Sequence, residues 1–135
     1  MQALPAPGYC SVGGRELELH PSDGHTADGA AIWIPWARVL VCGDYLSPVE
    51  IPMVGGSVQA YLATLARLEP LVEEAEHVVP GHGGPIDAAR AAAILREDRA
   101  YLQSLLDVGE AAKLPLARRS PVQRKIHAAN VARLS

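Results

Sequence analysis

From Arg15 to His20 polar and apolar residues alternate, Arg-Glu-Leu-Glu-Leu-His, a period of two that gives a strand one covered face and one wet face. Pro21-Ser22-Asp23-Gly24 are turn residues that end this strand and leave His25 on a strand-terminal loop. Ala30 to Ile34 and Arg38 to Cys42 predict two more strands, joined by Pro35-Trp36-Ala37, the size of a hairpin connection. The second is apolar almost throughout, as a central strand is, and stops at Gly43-Asp44. From Tyr45 to Gly56, prolines and glycines alternate with Ile51, Met53 and Val54, a loop too apolar for a linker and suited to border a substrate pocket.

Helical spacing takes over at Ser57, a cap residue, with Val58, Tyr61, Leu62, Leu65 and Leu68 on one face. Pro70 is expected to break this helix, leaving a short turn from Leu71 to Ala75. His77-Val78-Val79 predicts a brief strand ending at Pro80-Gly81-His82. Asp87 caps a long helix to about Leu106, with Ala91, Ile94, Leu95, Leu102 and Leu105 on its buried stripe. Ser120-Pro121-Val122-Gln123 has the spacing of a capping box with proline at the first helical position, and Val122, Ile126, Ala129 and Leu134 form the apolar side of a last helix. Alternation of strands and helices predicts an α/β chain. Its 135 residues read as a single domain, with 1–13 an opening segment or edge strand and 107–135 a helical tail.

Composition narrows the classes. Apolar residues make up 49% and charged residues 20%, which excludes disorder. A formal charge of -3 offers no general attraction to nucleic acid or anionic lipid. The basic residues of the tail, Lys113, Arg118, Arg119, Arg124, Lys125 and Arg133, read as a solvated helix face. Met1 to Pro5 lack the features of a signal peptide and no apolar run reaches the roughly 18–20 residues of a membrane helix, so the expected location is cytoplasmic. Cys10 and Cys42 are too few for a disulfide framework, and Cys42 reads as a buried thiol.

Three signals stand at the ends of strand-like runs: Gly24-His25-Thr26, Gly43-Asp44-Tyr45 and Pro80-Gly81-His82-Gly83-Gly84. Each puts one metal-binding side chain beside a glycine, and imidazole with carboxylate suits zinc, manganese or iron. Singly they are ordinary: a Gly-His-Thr is common, Asp44 could cap the next turn, and His82 could sit in a plain glycine turn. Together they form a His, Asp, His order on three separate strand ends.

That order, with the Leu-x-Leu-His-Pro, Val-Leu-Val-Cys-Gly-Asp and Val-Val-Pro-Gly-His-Gly runs, resembles the C-terminal half of the metallo-β-lactamase superfamily, which includes glyoxalase II-like hydrolases. The last helix, with His127 and Asn130, is similar to the end of many members. The resemblance implies one half of an αββα sandwich, a mixed β-sheet with helices on its outer face. It implies that His25, Asp44 and His82 ligate one or two zinc ions (manganese or iron as alternatives), with Asp44 bridging them as the catalytic carboxylate. Thr26, Asp28 and His20 would support these ligands. The implied activity is hydrolysis of an ester, thioester or lactone of a small molecule by metal-bound hydroxide.

The superfamily's His-x-His-x-Asp-His stretch is absent from these residues, so little activity is expected of the chain alone. The other reading is a non-catalytic half-domain serving as an association or regulatory module. In either case the inner sheet face is expected to be covered by a missing N-terminal half or by a second copy in a homodimer.

Overall fold

The computed structural model describes residues 7–26 and 29–134. Among them six strands form one sheet in chain order: β1 (Gly8–Val12), β2 (Arg15–Pro21), β3 (Ala30–Ile34), β4 (Val39–Gly43), β5 (His77–Pro80) and β6 (Ile86–Asp87). Neighbours are antiparallel except β4 and β5, which run parallel. A parallel pair needs a crossover, here built on α1 (Val58–Glu74). After β6 come α2 (Ala88–Val108), a 3₁₀ turn (Gly109–Ala111) and α3 (Pro121–Ala132). The fold is therefore mixed α/β, and the opening segment supplies an edge strand.

Alternation along the strands decides which face the helices cover. Ala31, Trp33, Leu40, Cys42 and Val78 join the core with Tyr61, Leu65 and Leu68 of α1 and Ile94, Leu102 and Leu105 of α2. Registered pairs share a face, so Leu19, Ile32, Val41 and Val79 make one apolar row across four strands on the opposite side. Ile32, Val41 and Val79 of that row are only half-buried and stand outside the core. Among the described residues no helix is long and apolar enough to cross a membrane.

Caps act where the sequence places two of them. Ser57 Oγ accepts from Ala60 N at 3.0 Å, and Asp87 Oδ1 from Arg90 N at 2.7 Å. Three expectations are corrected. Pro70 does not break α1, which continues to Glu74. Leu68 and Val72, on either side of it, are both buried, and at roughly 1.5–3 kcal/mol each their packing offsets the proline's cost of about 3 kcal/mol. The capping box does not form: Ser120 makes no side-chain cap bond, and Gln123 turns inward to accept from Ile51 N at 2.7 Å instead of reaching back to Ser120. The buried side of α3 is Gln123, Ile126 and Asn130, whereas Val122 is exposed. Two amides face inward because a loop without secondary structure lies under α3, and its backbone needs partners. The two-residue β6 follows Gly83-Gly84-Pro85 with no periodicity to announce it.

Candidate metal centre

β2, β4 and β5 all run the same way, since β3 is antiparallel to both of its neighbours and β5 is parallel to β4. Their C-terminal ends therefore share one rim of the sheet. The loops leaving that rim carry His25, Asp44 and His82. Asp44 meets both imidazoles: its Oδ2 lies 3.2 Å from His25 Nε2 and its Oδ1 3.1 Å from His82 Nε2. Glu50 Oε2 stands 3.9 Å from the same His82 nitrogen.

Two glycines let the loops close. Gly55 and Gly56 both donate backbone N–H to the carbonyl of Gly24, and a Cβ on Gly55 would land on the carbonyl oxygen of His25. Gly81 N–H donates to Gly43 O, where a Cβ would come within 2.8 Å of that oxygen. Bare backbone is required at both crossings.

His25 is held from two sides. Its backbone N–H donates to Tyr45 Oη at 3.3 Å, and that hydroxyl donates to Asp23 O. Burial pushes the Tyr45 phenol up to about 12, so it remains a protonated donor. His25 Nδ1 lies 2.8 Å from Met53 O. A carbonyl only accepts, so Nδ1 carries a proton and the ring is turned with Nε2 toward Asp44. His82 is held through its backbone: Ser47 Oγ donates to His82 O at 3.1 Å and accepts from Val49 N and Glu50 N at 3.1 and 3.0 Å.

The loop from Ser47 to Gly55 is ordered from outside. Arg118, 1% exposed, donates through Nη1 to Glu50 O at 2.9 Å and to Ser47 O at 3.3 Å. Its Nη2 reaches Glu97 at 3.3 Å and lies 2.7 Å from Asp98 Oδ1. Asp98 Oδ1 has no well-formed hydrogen bond at that separation. Burial pushes the Asp98 carboxyl up to about 7 against the pull of Arg118. Arg133 donates to Gly55 O at 3.0 Å. The expected solvated face is thus corrected at Arg118. Its signal was hidden, because a buried arginine has the same local sequence as an exposed one.

Of the supporting residues expected, Thr26 lines a cleft of about 130 Å³ with Ser22, His25, Asp44 and Tyr45. Asp28 lies outside the described residues. The ring of His20 bonds Glu18 on its own strand at 3.1 Å. Cys42 is buried, as expected, and burial pushes its thiol up to about 12.

The donor set passes one geometric check. Two ligands on one tetrahedral zinc with bonds of about 2.0–2.1 Å stand about 3.3–3.4 Å apart, close to the two separations found around Asp44. Among the described residues no group of three or more His, Cys, Asp and Glu is closed enough to hold an ion by itself. The trio is open, meeting in two pairs on the two oxygens of one carboxylate.

Residues 10–82 match the sequence profile of the metallo-beta-lactamase superfamily. A beta-lactamase-like protein 2 homolog of Caenorhabditis elegans is 34% identical over 77 residues, which are 57% of this chain and 25% of that protein. A metallo-beta-lactamase family protein of Thermus thermophilus superposes with a TM-score of 0.66 at 29% identity, over 77% of this chain and 36% of its own. A beta-lactamase domain protein of Burkholderia ambifaria superposes with a TM-score of 0.73 at 20% identity, over 98% of this chain and 46% of its own. The chain spans about a quarter of the curated relative and under half of either structure.

Proposed function

Since the chain belongs to the metallo-beta-lactamase superfamily, we propose that His25, Asp44 and His82 are its share of a hydrolase metal centre. Members of that superfamily are often hydrolases. One observation carries the reading. With Nδ1 bonded to Met53 O, Nε2 of His25 is turned to one Asp44 oxygen at 3.2 Å while Nε2 of His82 lies 3.1 Å from the other, so two imidazole nitrogens converge on one carboxylate at the rim. The two-imidazole, one-carboxylate set suits zinc, with manganese and iron as the other ions it admits.

A bound divalent ion supplies Lewis acidity toward a carbonyl or phosphoryl oxygen and acidifies water. The chain's own residues hold and orient. Asp44 offers one oxygen to each imidazole, Met53 O sets which His25 nitrogen is free, and Ser47 ties the His82 backbone to the loop carrying Glu50. Asp44 and His82 are 44% and 52% exposed in their side chains, so a small ester, thioester or lactone has access from solvent.

The apolar row of Leu19, Ile32, Val41 and Val79 belongs, in this reading, against the sheet of a complementary half of the same fold. The relatives support this, since each carries more than half of its length beyond the region this chain matches. A homodimer of this chain, by light scattering, would put a second copy there instead.

Zinc content after loading and dialysis tests the centre. His25→Ala, Asp44→Ala and His82→Ala should each lose zinc relative to wild type. Equal zinc in all four proteins overturns the hydrolase reading in favour of a non-catalytic association module.

A further inference from the structure

The amide of Asn130 brackets Met53. Val54 N donates to Asn130 Oδ1 at 3.0 Å and Asn130 Nδ2 donates to Pro52 O at 2.7 Å, so one buried side chain grips the backbone on either side of the residue whose carbonyl holds His25 Nδ1. Its orientation is not free. An N–H must meet an oxygen and a carbonyl must meet the NH₂, so the backbone fixes which end is which.

The rest of the network agrees. Glu110 O, 3.0 Å from His127 Nε2, requires a proton on that nitrogen, and Nδ1 of the same ring bonds Tyr101 Oη at 2.8 Å. Tyr101 Oη then accepts the second Asn130 Nδ2 proton at 3.1 Å. A continuous line of hydrogen bonds thus runs from Glu110 O to Val54 N.

We infer that Asn130 is a positioning residue for the candidate centre: through Met53 O it holds the His25 ring with Nδ1 as donor and Nε2 turned toward Asp44. It touches neither imidazole nor carboxylate of the trio and acts 105 positions away from His25 in sequence. Asparagine meets the requirement because its side-chain amide supplies a donor and an acceptor at adjacent positions.

The test uses the full chain without metal, with histidine ring nitrogens observed by NMR well above the imidazole pKa. Wild type should show His25 with a protonated Nδ1 and a lone-pair Nε2. Asn130→Asp, which keeps the shape and the acceptor but loses both donors, and Asn130→Ala should move both His25 nitrogens toward averaged shifts. Ile126→Ala removes buried packing from the same face of α3 and should leave the His25 signature unchanged. A wild-type His25 protonated at Nε2 overturns the assignment, and that measurement needs no variant to fold. So does an unchanged signature in Asn130→Ala, or an equal shift in Ile126→Ala.

The consequence for metal rests on the reading above. Loss of such a support typically lowers metal affinity by about 10–100-fold, here expected for zinc in Asn130→Ala. A shifted tautomer with unchanged zinc affinity would remove the metal reading and leave the positioning role standing.

Discussion

Arg118 Nη1 and the carbonyl oxygen of Glu50 lie 2.9 Å apart, a bond that joins the segment before α3 to the loop beside His82 across 68 residues of sequence. The same guanidinium serves Ser47 O, Glu97 and Asp98, and it is buried. Arg118→Met strips the Ser47 and Glu50 carbonyls of their donor and leaves the buried Asp98 carboxyl without its cation. Urea unfolding should show a loss of about 3–5 kcal/mol. Arg118→Lys should recover little, because an ammonium cannot span carbonyls and carboxylates as a planar fork does.

Asp98 predicts a pH dependence opposite to that of most carboxylates. Its folded pKa of about 7 lies above the ordinary 3.8, so between those values the folded chain keeps a proton that the unfolded chain has lost. Stability from this group is fully present below about pH 4 and is lost as pH rises toward about 7, on the order of a few kcal/mol at most. Unfolding free energies at the two ends of that window should show the decline in wild type and a flatter profile in Asp98→Asn. Equal slopes would mean that Arg118 keeps Asp98 ionised throughout.

Ser47 concentrates three hydrogen bonds on one hydroxyl, and one of them fixes the His82 carbonyl. Ser47→Ala leaves the N–H groups of Val49 and Glu50 without that acceptor. The expected cost is about 1–3 kcal/mol, with faster amide exchange at those two positions. Exchange unaltered there would show that water replaces the hydroxyl at no loss.

Gly55 has no room for a methyl group, because a Cβ would sit on the His25 carbonyl oxygen. Gly55→Ala must push the His25 loop away from the loop carrying Met53. A loss of about 1–3 kcal/mol is expected in thermal or urea unfolding, with a change in the His25 ring signals. Gly84→Ala, whose Cβ would meet nothing, is the control and should be near neutral.

Much of the fold was legible along the chain. The period-two run of β2, the apolar β4 and the helical stripes of α1 and α2 report local geometry, and local geometry is what periodicity encodes. Ser57 and Asp87 cap as read, because a cap is settled within four residues. Pro70 was misread for the converse reason: whether a helix survives a proline depends on packing on both sides of it, here Leu68 and Val72. Gln123 was assigned to its own helix terminus, yet the nearby Ile51 N–H claimed it.

His25, Asp44 and His82 could be named from sequence because each ends an apolar run beside a glycine. The sequence by itself thus determined the elements, their order and the candidate ligands, all of which are written in short-range patterns of side-chain size and polarity. Only the tertiary structure decided that β2, β4 and β5 end on one rim, that Met53 O holds the His25 ring, and that Arg118 and Asn130 are buried to order the loop between the ligands. Those are contacts between backbone and distant side chains, and a carbonyl oxygen looks the same in every residue until the chain folds around it.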